Sequence, residues 1–241
     1  MVSHADPDHY NQLPSVLDDV TARSVWQGGN PAHYTSANFS TWLEGQEKRG
    51  AQVHRNFAPD FHNQRQPVSD ALSCGRASTF VLTANTGASD NAQSLVLMIE
   101  HEDFTVVFTG DAEGATEAQA LTNYVNAVKA TVITSSHHGA STFASNSQGW
   151  ADGMAPEVLI SSAGNRFFHP RCAATDRFTS LATTKRHAVR CGSSTAYTAS
   201  RTNRAHYVTE VNGAIIITSS GKSPLTVNCT RSVECGGTIG H

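Results

Sequence analysis

The sequence predicts an α/β sandwich with mixed sheets. Strand-length apolar runs come first, segments of helical periodicity follow, and strand-like runs return, an order that fits mixed sheets better than a purely parallel sheet. The length of 241 residues suits one large domain with a buried core. We therefore expect residues 1–241 to form a single domain, with the irregular stretch 26–76 as an insertion or cap.

Four elements are predicted before residue 110. A short helix is expected at 39–47. The runs 78–84 and 94–99 are apolar and rich in β-branched residues, which is typical of strands. A further strand at 105–108 follows a turn-like tripeptide, and we expect it to form a hairpin with the strand at 94–99.

The later elements also alternate. They are, in order, a helix at 117–128, strands at 130–134 and 156–160, a helix at 169–183, and a hairpin of 206–211 with 214–218. The dipeptide Asn212-Gly213 is a strong signal for the turn of that hairpin. The basic residues Lys185, Arg186 and Arg190 would then lie near a solvated helix end, where they could also follow a nucleic-acid backbone.

Charge and hydropathy exclude some partners and leave others open. The net charge of −3 gives no overall attraction to nucleic acid. The longest apolar runs are strand-length, far below the roughly 20 residues of a membrane helix. We expect no membrane span in this chain.

The five cysteines leave two interpretations open. Without any CxxC spacing, they predict neither a zinc ribbon nor a redox pair. Two disulfides and a spare thiol would fit an oxidising compartment, whereas five thiols would fit a reducing one. The lysine-poor, polar composition slightly favours the first, and with it a bacterial extracytoplasmic or secreted location.

The N-terminus concentrates metal-ligand chemistry. His4, Asp6, Asp8 and His9 place four potential ligands within six positions. A turn at Pro7 would let one short segment supply two metal ions about 3.5 to 4 Å apart. The alternative is a polar tail whose histidines cluster by chance.

Two later segments offer matching groups just after strands. Asp111 follows Thr109-Gly110, where the glycine permits a sharp turn, and its carboxylate could bridge two cations. It could equally cap the next helix. His137 and His138 precede Gly139 at the end of another predicted strand, and such a pair is more often ligating or catalytic than structural.

The order of these motifs resembles the metallo-β-lactamase superfamily, and more narrowly the hydrolase domain of ComEC-type DNA-uptake competence proteins. The segments that carry the resemblance are SHADPDH, NAQSLVLMIEHEDFTVVFTGDAE, SSHHGAS, PEVLISSAGNRFFHP and YVTEVNGAIIITSSG, which together span residues 3 to 221. The resemblance implies an αββα sandwich, an α/β (α+β) fold, that hydrolyses its substrate with metal-activated water.

The resemblance also implies ligand roles. They are His4 and Asp6 at a first metal, Asp8 and His9 at a second, Asp111 between the two, and His138 rather than His137 as a further ligand. Asp90 and Asn91 stand near the position of a histidine that the superfamily usually has, so both are additional candidate ligands. His137, the other member of the histidine pair, is a further candidate.

Two divalent metal ions are therefore the expected cofactors. The carboxylate-rich ligand set lets manganese or iron compete with zinc. Such ions lower the pKa of bound water from about 16 towards 7, and Asp8 could orient that water as a catalytic residue.

The motif GNRFFHP supplies candidate substrate contacts. His169 could donate a proton to a leaving group or bind a phosphate, with Asn165 and Arg166 as substrate-binding neighbours and Arg171 close by. The structural alternative is a histidine that simply precedes Pro170 at a helix N-terminus.

The start of the sequence differs from the superfamily pattern in the number of strands. In the superfamily, several strands precede the first metal motif, whereas here only residues 1–3 do. We expect the N-terminal strands to be missing, and a further segment or a partner chain to complete the sheet.

The first functional hypothesis is a metal-dependent phosphodiesterase or nuclease acting on DNA. A second is an esterase, lactonase or β-lactam hydrolase on the same fold, which the low basicity favours slightly. A third is a catalytically inactive metal-binding or interaction domain.

Overall fold

The computed structural model describes residues 1–55, 75–123, 129–232 and 234–240, and it confirms a mixed α/β fold with several sheets. The α-helices are α1 (Pro7–Tyr10), α2 (Leu13–Val16), α3 (Ala37–Lys48), α4 (Gly114–Asn123), α5 (Gln148–Met154), α6 (Cys172–Thr175) and α7 (Thr209–Asn212). The strands are β1 (Ser24–Trp26), β2 (Gln52–His54), β3 (Ser78–Thr83), β4 (Val96–His101), β5 (Phe104–Phe108), β6 (Val132–Thr134), β7 (Val158–Ser161), β8 (Thr183–Gly192), β9 (Tyr197–Arg204), β10 (His206–Val208), β11 (Ile215–Thr218), β12 (Leu225–Cys229) and β13 (Gly237–Ile239).

The central sheet has six strands in the order β10-β7-β6-β5-β4-β3. Strands β3, β4 and β5 are antiparallel neighbours, whereas β5, β6, β7 and β10 run parallel. Helices α4 and α5 pack on this sheet, and Leu82, Met98, Ile133 and Trp150 are fully buried in the resulting core. Because parallel strands end at the same edge, the loops after β5, β6 and β7 emerge side by side.

Several predicted elements are confirmed. The hairpin of 94–99 with 105–108 corresponds to the antiparallel pair β4 and β5. The predicted strands at 78–84, 130–134 and 156–160 correspond to β3, β6 and β7, and the short helix at 39–47 corresponds to α3. The helix predicted at 117–128 is α4 up to Asn123, and residues 124–128 lie outside the described residues.

The N-terminal part of the chain forms a small β-α-β unit. Strands β1 and β2 pair in parallel, with α3 as their connection, and Val2 joins Gln27 in a parallel bridge. Tyr10 and Phe39 belong to an apolar cluster of this unit. The unit contains residues 26–54 of the predicted insertion, and residues 56–74 lie outside the described residues. Completion of the sheet by another segment or chain stays a prediction.

The helix predicted at 169–183 is wrong. Only Cys172–Thr175 is helical, and the chain then turns into β8, which forms an antiparallel hairpin with β9. The β-branched residues Thr183, Thr184 and Val189 favour a strand over a helix. Pairing with β9 satisfies their backbone groups, and this long-range effect is invisible in the local pattern.

The basic run 185–190 therefore lies on a strand, not at a helix end. Arg190 forms an ion pair with Glu210 at 3.0 Å and lies 3.8 Å from the centre of the Tyr197 ring. His187 is buried. Because Arg190 is already paired, the run does not present a continuous cationic track.

The hairpin predicted for 206–211 with 214–218 is also wrong. Strand β10 pairs in parallel with β7, whereas β11 pairs with β12, and α7 separates the two. Asn212 is buried, and its side chain accepts a hydrogen bond from the amide of Val208 at 2.8 Å and donates one to the carbonyl of Ala188 at 3.2 Å. The residue ends a helical turn instead of closing a hairpin.

Two disulfides join Cys172 to Cys191 and Cys229 to Cys235. This outcome matches the oxidised interpretation of the cysteine count, and Cys74 lies outside the described residues. Among the helices of the described ranges, none combines the length and apolarity needed to cross a bilayer.

Candidate metal centre

The turn after β5 delivers Asp111 to the edge of the sheet. Gly110 has a φ of +55°, and a Cβ atom at this position would lie 2.6 Å from the Cβ of Ser3. Only glycine therefore allows the turn to contact the N-terminal segment. The Asp111 amide is held by the Ser94 hydroxyl at 3.0 Å, and its buried carboxylate faces imidazoles instead of capping α4.

The loop after β6 delivers the histidine pair in a strained conformation. His137 and His138 have φ values of +49° and +56°, a region that costs energy for residues with a Cβ. Asn146 compensates: its side chain accepts from the Ser136 amide at 3.0 Å and donates to the Ser136 and Ala140 carbonyls at 2.8 Å each.

A buried carboxylate supports this loop in turn. Glu117 on α4 accepts hydrogen bonds from the amides of Asn146 at 2.7 Å and Ser147 at 2.9 Å. Burial nevertheless raises the pKa of Glu117 above its ordinary value. Helix α4 thereby fixes Asn146, and through Asn146 the position of the histidine pair.

The N-terminal segment brings His4 and His9, the second of these on α1. The hydroxyl of Ser3 lies 3.0 Å from the Nδ1 atoms of both rings. His138 similarly donates from Nδ1 to the carbonyl of Ser162 at 2.7 Å. In all three rings the Nδ1 atom is occupied by an oxygen partner, which leaves Nε2 directed inwards, as in metal-binding histidines.

The inward-facing atoms form two overlapping groups that could hold a metal ion. His4, His9 and Asp111 form one, and Asp8, His9 and His138 form the other, with ligand atoms in each group within 4.8 Å of one another. His9 Nε2 lies 3.1 Å from Asp111 Oδ1 and 3.3 Å from His138 Nε2. His138 Nε2 lies 3.3 Å from Asp8 Oδ2 and 3.5 Å from Asp111 Oδ2.

The buried polar atoms fit a cation. Within the described residues, His4 Nε2 and Asp111 Oδ1 are buried and have no hydrogen-bond partner of acceptable geometry, although Asp6 Oδ2 and His9 Nε2 lie near them. Burying unsatisfied polar atoms costs on the order of 1–3 kcal/mol each. A divalent cation would satisfy a neutral imidazole nitrogen and a carboxylate oxygen together.

The electrostatics of the centre favour ionised carboxylates. The hydrogen bond with His138 holds the pKa of the Asp8 carboxyl far below its usual range. Burial alone would raise the pKa of Asp111, but the imidazoles of His9, His138 and His4 lower it overall. Both carboxylates are negative at neutral pH and can attract a cation.

The histidines divide into two protonation classes. Burial, followed by the neighbouring His9, lowers the pKa of His4. Burial also opposes protonation of His138, but Asp8 and Asp111 outweigh it and raise its pKa to about 9. Metal binding would therefore displace a proton from His138.

Other candidate ligands lie at the margin. Asp6 Oδ2 is 3.5 Å from His4 Nε2, and its side chain is 41% exposed, so Asp6 belongs to neither three-residue group. His137 Nε2 lies 3.6 Å from Asp111 Oδ2, and the Asn91 amide nitrogen lies 3.5 Å from the same ring. Asp90 contacts His33 at 2.5 Å, away from the two groups.

The centre opens into a cleft of about 1020 Å³. Its lining includes all of the predicted substrate contacts, which are Asn165, Arg166 and His169, and also Phe167 and Arg171. The His169 ring centre lies 5.9 Å from that of His137. Burial, followed by electrostatic interactions with His137 and Arg171, lowers the pKa of His169 to about 4.

The residues that orient the candidate ligands were not predicted from the sequence. Ser3, Ser94, Ser162, Asn146 and Glu117 act on the centre through hydrogen bonds between distant segments. Only Ser3 carried a signal, because it adjoins His4. The others become visible only once the strand order is known.

No protein-family model matches the chain, and a search of curated proteins finds no match either.

Proposed function

We propose that the protein is a metal-dependent phosphodiesterase with a metallo-β-lactamase-like fold of the ComEC type. One observation carries the proposal: imidazoles and carboxylates from three distant segments converge at the floor of a cleft whose wall carries arginines. The cation site and the cationic wall together suit an anionic substrate. DNA or another phosphodiester fits this chemistry better than a neutral ester or lactam.

We propose a pair of divalent ions, zinc or manganese with iron as a further candidate. Asp111 supports two ions because its Oδ1 is 3.1 Å from His9 and its Oδ2 is 3.5 Å from His138. When bound, such ions supply an acidic water at neutral pH and polarise a phosphoryl oxygen. His4 and His9 would hold one ion, and Asp8 and His138 the other.

The remaining residues would bind and orient the substrate. Asp8 is exposed at the cleft side of the ligand set, where its ionised carboxylate can orient a water molecule. His169 is neutral at pH 7 because its pKa is about 4, so its ring suits a hydrogen bond to a phosphate better than proton donation. Arg166 and Arg171 add positive charge.

The decisive experiment combines metal content with substrate turnover. We expect purified protein to bind up to two zinc or manganese ions and to hydrolyse bis-p-nitrophenyl phosphate and single-stranded DNA, but not nitrocefin or a lactone. Asp111→Ala and His138→Ala should each lower kcat at least about 100-fold. Metal analysis by mass spectrometry and initial rates provide the measurements.

A double variant, His101→Ala with Asp152→Ala, is the matched control, because it removes one imidazole and one carboxylate that do not line the cleft. It should retain metal and activity. Phosphodiester cleavage that survives the loss of both Asp111 and His138 would refute the proposal. A folded, metal-loaded protein without turnover of any substrate would instead indicate a metal-binding or interaction domain.

The two disulfides support a location. Structural disulfides persist in oxidising compartments. We therefore propose that the protein acts outside the cytoplasm, as a secreted or bacterial extracytoplasmic hydrolase.

A further inference from the structure

Most of the cleft wall belongs to a single connecting segment. Residues 162–171, here called the rim segment, run from the end of β7 to the start of α6 and carry every arginine of the cleft lining. The side chains at 164–167 are exposed. A loop of this kind needs external attachments to hold substrate contacts in place.

The rim segment is attached to the β8–β9 hairpin at several points. The Tyr197 hydroxyl donates to the carbonyl of Gly164 at 2.9 Å, and the Gly192 amide donates to the carbonyl of Pro170 at 2.7 Å. A Cβ atom at Gly192 would lie 2.0 Å from the carbonyl oxygen of Phe168. The two backbones therefore approach each other as closely as glycine permits.

The same segment is attached to the metal centre. The Arg171 amide donates to the carbonyl of Gly139 at 2.8 Å, and His138 donates to the carbonyl of Ser162 at 2.7 Å. A Cβ atom at Gly139 would lie 2.4 Å from that of Pro170. Movement of the rim segment would therefore displace both the substrate wall and the loop of a ligand.

One covalent bond closes this arrangement. Cys172 directly follows the rim segment, Cys191 precedes the contact residue Gly192, and the two form a disulfide. Hydrogen bonds at a water-filled cleft contribute little individually because water competes for them. A covalent link restricts the separation of the two backbones without such competition.

We propose that the Cys172–Cys191 disulfide is a positioning element that clamps the rim segment, so that His169 and Arg171 keep their places in the cleft lining in the geometry that binds substrate. This inference rests on the proposed phosphodiesterase function for its kinetic consequence. The cysteines themselves touch no substrate.

The second disulfide provides a matched control. Cys229 and Cys235 are separated by six positions at the end of β12, and none of the residues from 225 to 232 or from 234 to 239 lines the cleft. Its loss removes a covalent bond of the same kind from another part of the protein. A general effect of oxidation on stability would therefore appear in both variants.

The test compares Cys172→Ser/Cys191→Ser with Cys229→Ser/Cys235→Ser, both as the full chain with metal. Hydrogen exchange of the Arg171 and Gly192 amides should accelerate at least about ten-fold in the first variant only. Its KM for bis-p-nitrophenyl phosphate should rise about ten-fold with unchanged metal content, because misplaced contacts weaken substrate binding. The second variant should keep wild-type exchange at these amides and wild-type KM.

A second route avoids a folding failure of the first variant. In the folded Cys229→Ser/Cys235→Ser variant, Cys172–Cys191 is the remaining disulfide among the described residues. Mild reduction and alkylation of this variant should therefore produce the same faster amide exchange and the same rise in KM. Unchanged exchange, unchanged KM, or equal changes in both variants would overturn the clamp. If the wild type cleaves no phosphodiester, the proposed function fails, and exchange together with the affinity for inorganic phosphate decides the clamp on its own.

Discussion

A single hydroxyl group orients two imidazoles of the candidate metal centre. Ser3 Oγ lies 3.0 Å from Nδ1 of both His4 and His9, and Ser94 Oγ adds a contact to His4 at 3.3 Å. With Nδ1 occupied, each ring can offer only Nε2 to a cation. The sequence motif therefore has an orienting residue, Ser3, before its first histidine, although this serine belongs to neither candidate ligand group.

Another histidine has a role in stability. His206 is buried, and its Nε2 lies 3.1 Å from the Ser161 hydroxyl, which accepts a hydrogen bond from Ser135 at 3.0 Å. Ser161 can then donate only to an unprotonated ring. Burial, followed by electrostatic interactions with His187 and Arg204, lowers the pKa of His206 to about 3.

This environment predicts a pH dependence of stability. Between pH 6.5 and 3 the unfolded chain binds a proton at His206 and the folded chain does not. The free energy of unfolding should therefore decrease as the pH is lowered through this range. The slope for this group is about 1.4 kcal/mol per pH unit. Urea unfolding between pH 7.5 and 5 should show it, with a loss at pH 5 of about 2 kcal/mol from this residue.

His206→Gln is the control for this prediction, since it removes the titrating group at the same position. The variant should lose less stability than the wild type over the same pH range. Parallel stability curves for the two proteins would contradict the assignment.

At the scale of elements, the segment 136–146 contains most of the strain at the site. His137, His138, Phe143, Ala144 and Asn146 all have positive φ values between 49° and 56°. Such residues persist where their surroundings compensate for them. Here Asn146 and the Glu117 carboxylate supply that compensation by satisfying the backbone groups of the loop.

Asn146→Ala should therefore weaken metal binding. We expect the dissociation constant for zinc to rise about ten-fold to 100-fold, because the loop can no longer hold His138 in its left-handed conformation. Competition with a chromogenic chelator measures this constant. Asn123→Ala, which removes an amide hydrogen bond to the Leu82 carbonyl, is the control and should keep the metal affinity. A loss of stability without a change in metal affinity would reduce Asn146 to a structural role.

Some of these elements could be predicted from the sequence and others could not. The apolar runs of β3 to β7 were predictable, and so was the approach of the side chains that follow β5 and β6, because side chains after parallel strands meet at one edge. Metal binding by these side chains stays a prediction. The hairpin predicted at Asn212-Gly213 does not form, because pairing of β10 with β7 and of β11 with β12 outweighs a local turn signal. The pairing of the cysteines and the role of Asn146 also depend on contacts between distant segments.

At the scale of the molecule, the metal centre lies between two apolar clusters. His9 adjoins Tyr10 of the N-terminal cluster, whereas Asp111 and His138 extend from the central sheet. A cation shared by these groups would connect the two clusters. Repulsion between Asp8 and Asp111 would decrease at the same time.

Metal removal should therefore lower the melting temperature of the whole protein. A ligand present at 100 times its dissociation constant stabilises the folded state by about 2.7 kcal/mol. Dialysis against a chelator should lower Tm by several degrees, and added zinc or manganese should restore it, as measured by differential scanning calorimetry. Equal melting temperatures with and without metal would contradict the connection.

Helix α1 carries a candidate metal ligand, His9, directly before a residue of the aromatic cluster, Tyr10. Tyr10 lies 4.9 Å from the Tyr34 ring and 4.8 Å from the Phe39 ring, and the preceding residue is His9. A rotation of this helix that withdraws the tyrosine must also swing the imidazole away from Asp111. The packing of the N-terminal unit is thus coupled to the candidate metal centre. Substitutions that loosen the packing of Phe39, which does not line the cleft, would change the affinity of this centre for a metal ion.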